Sequence, residues 1–143
     1  MKAYLVAALI AVPAIALAAD KPDMTEGLWE ITSKVNMPGM PMQMPAHTMQ
    51  HCFTKEDIAK GDKTVPQNQQ SDQKCDMVER RMTGNKLNYK MVCSGKNKMT
   101  MTGEVIYSRT SYRGTSQMDM VQNGQPMRMT TEYSAKRLGN CKK

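Results

Sequence analysis

The chain has 143 residues and a formal net charge of +7, with four cysteines, sixteen methionines, one tryptophan and one phenylalanine. That length fits one domain with a modest core. The basic excess is spread along the chain without a basic helix or an aromatic platform, which argues against nucleic acid as a partner.

Residues 1–18 read as a secretory signal peptide. Lys2 supplies the positive start, and Tyr4 to Leu17 is an apolar run broken only by Pro13. Ala16-Leu17-Ala18 then gives the small-x-small cleavage pattern. A run of about 14 residues is shorter than the roughly 20 that a membrane span needs, and the cleavage point has no cysteine to carry a lipid. The expected product is a periplasmic or secreted chain over residues 19–143, one disulfide-stapled β domain with no stable membrane anchor.

Trp29, Ile31, Ser33, Val35 and Met37 alternate with Glu30, Thr32, Lys34 and Asn36, a period-two strand with one buried face. The segment Met37 to Pro45 carries three prolines and predicts an extended connection outside any ladder. Thr48 to Phe53 returns to strand character. Thr54 and Asp57 have capping-box spacing ahead of Ile58 and Ala59, and Gly61 stops the helix. Lys60 to Lys74 is a polar loop. Asp76 to Met82 reads as a charged strand, followed by strands whose inward faces carry Leu87–Tyr89–Met91–Cys93, Met99–Met101–Gly103–Val105–Tyr107, Tyr112–Gly114–Ser116–Met118–Met120 and Met127–Met129–Thr131–Tyr133.

The turns set the registers. Asn123-Gly124 is a two-residue type I′ signal, which places Met120 opposite Met127 and Met118 opposite Met129. A two-residue loop at Arg109-Thr110 places Tyr107 opposite Tyr112, Met101 opposite Met118 and Met99 opposite Met120. Six methionines then form two cross-strand rows on one face, with Asp119 opposite Arg128 on the other. Glu104 and Glu132 flank Thr115 on that polar face.

An even cysteine count in an exported chain predicts two disulfides among Cys52, Cys75, Cys93 and Cys141. A three-residue loop at Thr83-Gly84-Asn85 sets Cys75 opposite Cys93, whereas a two-residue loop misses by one. We therefore expect the three-residue loop, Cys75–Cys93, and by remainder Cys52–Cys141. The predicted fold is all-β: an antiparallel meander of about seven strands with one short helix, forming a curled sheet or small barrel.

Gly27-Leu28-Trp29-Glu30, Met37-Pro38-Gly39-Met40-Pro41, Cys52-Phe53-Thr54, Met91-Val92-Cys93-Ser94-Gly95, Tyr112-Arg113-Gly114 and Leu138-Gly139-Asn140-Cys141 occur in order along nearly the whole mature chain. This series resembles domain-of-unknown-function family 3617, a group of exported bacterial proteins. The resemblance implies compartment and extent but no activity and no catalytic residues. Its members typically carry Gly-Asp or Gly-Asn in the hairpin where this chain has Arg109-Thr110.

No phosphate loop, nucleophile elbow or zinc-type Cys/His spacing appears, so we expect a non-enzymatic protein without a resident cofactor. Two binding readings remain. In the first, Trp29, Met99, Met101, Tyr107, Tyr112, Met118, Met120, Met127, Met129 and Tyr133 line a surface for a small apolar ligand or an envelope-protein partner, against the simpler reading that they fill the core. In the second, Met37, Met40, Met42, Met44, His47, Met49 and His51 bind Cu(I) or Ag(I), for which a neutral thioether is a well-matched soft ligand. The competing view of that segment is an apolar lid over the sheet, since methionine fills irregular gaps well. His47 and His51 have the i, i+4 spacing of a helical zinc site, but Pro45 and the strand-like residues after it argue against a helix there.

Overall fold

The computed structural model describes residues 21–39, 44–61, 64–65, 74–95 and 98–142. The expected leader, together with Met40 and Met42, lies outside the described residues. Seven strands and one short helix follow in the order β1 (Gly27–Asn36), β2 (His47–Phe53), α1 (Lys55–Lys60), β3 (Lys74–Thr83), β4 (Lys86–Ser94), β5 (Met99–Ser108), β6 (Ser111–Gln122) and β7 (Gln125–Gly139). All pairings are antiparallel, in one sheet ordered β2-β1-β7-β6-β5-β4-β3.

The sheet is open, which corrects the expected barrel or strong curl: β2 and β3 are edges that do not meet. The connectivity also departs from a simple meander. β3 to β7 form one, and the β1–β2 hairpin docks onto its end through β1 against β7. A physical reason for the open form lies in β3. Lys74, Asp76, Glu79, Arg80 and Arg81 are all exposed along it, and charges on an edge strand disfavour further pairing.

Both hairpin registers appear as read from the sequence. Asn123 and Gly124 take φ values of 51° and 76°, the positive pair that a type I′ turn requires. Met120 faces Met127, Met118 faces Met129, and Asp119 faces Arg128. Across the other turn Tyr107 faces Tyr112, Met101 faces Met118 and Met99 faces Met120. The β3–β4 turn is different. Thr83 pairs with Lys86, so the loop is the two residues Gly84-Asn85 rather than the expected three. Cys75 still faces Cys93, because the register shifts between Met77 and Glu79. Val78 is the extra residue of a β-bulge, and it restores the one-residue offset. The two disulfides are Cys75–Cys93 and Cys52–Cys141.

The inward face changes character along the strands. One end is aromatic: Trp29 is fully buried, 5.6 Å from Tyr112 and 6.2 Å from Phe53 between ring centroids, and its indole nitrogen donates to the Thr25 carbonyl at 3.0 Å. Helix α1 closes this end. Thr54 and Asp57 form the reciprocal capping box, Gly61 caps the last turn at φ 72°, and Ile58 is buried. Beyond it Thr64 donates to the Gly61 carbonyl at 2.6 Å, so the buried Tyr107 hydroxyl, 2.7 Å away, donates to Thr64. The other end is sulfur-rich, with the rows Met91–Met101–Met118–Met129 and Cys93–Met99–Met120–Met127.

Between the two ends the rings of Tyr89 and Tyr133 lie across the sheet over two glycines. A Cβ at Gly103 would sit 2.6 Å from the Tyr89 hydroxyl, and one at Gly114 would sit 2.6 Å from the Tyr133 hydroxyl. The two hydroxyls approach to 3.5 Å, and Tyr133 donates to the Glu104 carbonyl at 3.4 Å. Only glycine leaves space for a ring laid flat over the strand.

Candidate functional site

Strand β2 presents three of the candidate soft donors. Ser33 faces His47, Ile31 faces Met49 and Trp29 faces His51, so His47, Met49 and His51 share the inward face of the sheet. The strand holds them in line and excludes the helical zinc geometry. Successive same-face residues stand about 6.6 Å apart, and the two histidines about 13 Å apart. His51 is half-buried, its ring 4.6 Å from Phe53 in an edge-on contact. His47 is exposed, as are Met49 at 50% and Met44 at 44%. Every other methionine among the described residues is at least half-buried. Met37, at the end of β1, belongs to that half-buried set. On the opposite face of the hairpin the Thr32 and Thr48 hydroxyls meet at 3.1 Å and brace β2 against β1.

The sheet methionines and aromatics sit elsewhere. Trp29, Tyr107, Tyr112, Tyr133, Met99, Met101 and Met118 are buried in the core, whereas Met120, Met127 and Met129 are partly open. Tyr89 donates weakly to the Met101 sulfur at 4.0 Å. Burial pushes the Tyr107 phenol up to about 12 and raises Tyr89, Tyr112 and Tyr133 above the usual tyrosine range. Those hydroxyls are therefore neutral hydrogen-bonding groups at any physiological pH.

The profile of a family described as "Protein of unknown function (DUF3617)" matches residues 24–141. The chain belongs to DUF3617. The match begins just before β1, ends at Cys141, and so spans every strand and both disulfides of this DUF3617 chain. No curated protein and no solved structure matches it.

The polar face of this DUF3617 sheet contains a feature that the sequence does not announce. An open cleft of about 470 Å³ is lined by Thr32, Lys34, Glu104, Arg113, Thr115 and Glu132, among others. Glu104, Thr115, Glu132 and Lys34 form one continuous cross-strand row. Glu104 is held by Lys86 at 2.6 Å. Lys34 was missed because its membership depends on β1 pairing with β7, a contact for which no turn supplies a register. The row alternates acceptors and donors without a histidine, since both histidines lie on β2. Chemically it is a hydrated ion-pair surface.

Among the described residues no group of three or more His, Cys, Asp or Glu is placed to hold a metal ion, and all four cysteines are in disulfides. A soft cation, for which thioethers count as donors, is a different case.

Proposed function

We propose that this DUF3617 chain is a non-catalytic binding module of the periplasm or the cell exterior that takes a soft monovalent cation, Cu(I) or Ag(I), at the β2 face and its approach. One observation carries the reading: Met44 and Met49 are the two exposed methionines among thirteen described ones, and they bracket His47. A methionine used as gap filler is buried, because its value there is apolar contact. A thioether left in water beside an imidazole forgoes that gain and keeps its sulfur lone pairs available. A thioether also cannot enter the disulfides that consume a free thiol outside the cytosol, and the two disulfides fit such a compartment.

The test is anaerobic titration of the purified chain with Cu(I) against a competing chelator. The expected result is withdrawal of Cu(I) from the chelator, weakened at least tenfold when Met44 and Met49 are both changed to Leu. No withdrawal, or unchanged affinity in the double variant, refutes the proposal.

A second reading rests on Met120, Met127 and Met129, which leave the sulfur-rich end of the inward face partly open. There the occupant is a small apolar ligand, which native mass spectrometry of material from the natural host reveals as a co-purifying mass. A bare polypeptide mass refutes it.

A further inference from the structure

We infer that the soft-cation site is completed by a second copy of the chain, through antiparallel pairing of β2 with β2 about a two-fold axis at Met49. The inference rests on the soft-cation reading and adds the partner.

The two edges of the sheet are not alike. β3 is lined with exposed charges and broken by the bulge at Val78, two devices that block further pairing. β2, with the sequence His-Thr-Met-Gln-His-Cys-Phe, has neither a charge nor a proline, and its register with β1 runs unbroken from His47 to Phe53. Among the described residues its outer row of backbone amides and carbonyls has no partner strand in the sheet. An edge of this kind is a template for another strand.

The sequence of β2 is nearly palindromic about Met49, with a histidine two residues away on each side. Within one chain the two imidazoles stand about 13 Å apart and project in parallel, so they do not converge on one ion. A two-fold pairing centred on Met49 changes this. His47 of each copy then stands directly opposite His51 of the other, with Cβ atoms about 4.5–5.5 Å apart, and the two Met49 side chains face each other between the histidine pairs. Each histidine pair has one Met49 thioether as its neighbour, which makes two equivalent sites of two nitrogens and one sulfur. That is one ion per chain and two per dimer, a donor set suited to Cu(I) or Ag(I).

The pairing needs the ion. Seven residues along a sheet edge bury far less than the about 1,200 Å² at which stable interfaces begin, so the apo chain stays monomeric and the cation drives association.

The test is sedimentation velocity of the processed chain with Ag(I), which is stable in air, alongside metal analysis of each species. The expected result is a monomer without the ion, a dimer carrying one Ag(I) per chain with it, and reversal by a chelator. His47→Ala and His51→Ala each break both sites of their homodimer and stay monomeric. Mixing the two variants rebuilds one intact site from His51 of one chain and His47 of the other, so the mixture dimerises with half the silver. Each variant is checked for an unchanged far-ultraviolet dichroism spectrum. Binding of one Ag(I) per chain without dimerisation, or failure of the mixture to complement, overturns the seam and leaves the soft-cation reading standing. Absence of any Ag(I) binding overturns both.

Discussion

Replacing Gly114 by alanine tests the arrangement that shapes the inward face. The new Cβ would lie 2.6 Å from both the hydroxyl and Cζ of Tyr133, and closer still to the Glu104 carbonyl oxygen. Neither neighbour has free room. The carbonyl belongs to a strand paired through ten residues with β6, and the phenol is buried beneath Tyr89 and Tyr112. Overpacking of this type costs about 1–3 kcal/mol, against about 0.4–1 kcal/mol gained by restricting the unfolded chain at a former glycine. Because one clash is with backbone, the upper part of the range applies, and the net loss is about 2 kcal/mol. For a domain over residues 24–141 that is a fall of roughly 6–10 °C in Tm. The assay is thermal unfolding followed by the fluorescence of Trp29, the single tryptophan, which is fully buried. Combining Gly114→Ala with Tyr133→Leu removes the phenol that the methyl group meets, so the double variant should lose about 1 kcal/mol less than the sum of the singles. A Tm that is unchanged or higher in Gly114→Ala, or strict additivity in the cycle, refutes the account of Tyr133 laid over that glycine.

Three further outcomes are expected. Tyr89, Tyr107, Tyr112 and Tyr133 all have phenols raised by burial, so the folded state holds protons that the unfolded state releases above pH about 10. Their stabilising contribution is complete below that pH and falls by up to about 1.4 kcal/mol per phenol per pH unit above it; ultraviolet titration should show these four ionising together with unfolding, and gradual ionisation in the folded state would count against their burial. Deleting Val78 removes the bulge and sets Cys75 out of step with Cys93, so thiol titration of the denatured variant should find two free cysteines rather than none. The Cys52–Cys141 bridge joins residues 89 apart in sequence, which on the chain-entropy relation corresponds to about 4.6 kcal/mol, against about 3.2 kcal/mol for Cys75–Cys93 with its separation of 18; urea unfolding of the paired Cys→Ser variants should rank them in that order, and the reverse order would show that native-state contacts outweigh chain entropy.

Where a residue carried its own conformational demand, the sequence was legible. Asn123-Gly124 demands positive φ twice, and that one turn fixed the partners of Met118, Met120 and Asp119. Thr54 and Asp57 announced α1 in the same way, through atoms that can only satisfy a helix start. Val78 made no such demand. It is an ordinary β-branched residue in a charged strand, so its bulge was invisible, and the right cysteine pairing was reached through a loop of the wrong length. Alternation told which face each residue occupies but not how far the sheet rolls, so the choice between a small barrel and a curled sheet was left open, and the sheet is neither closed nor strongly curled. His47, Met49 and His51 were legible as residue types, while their placement on the inward face needed the register with β1.

The docking of β1 against β7 has a consequence for how the molecule comes into being. Leu28 pairs with Gly139, and Asn36 pairs with Thr130, so β1, already paired with β2, finds its second neighbour only in β7. Contacts so distant along the chain slow folding. A polypeptide delivered from its amino end therefore waits, with its first hairpin undocked, until β7 arrives and lets the sheet assemble around it.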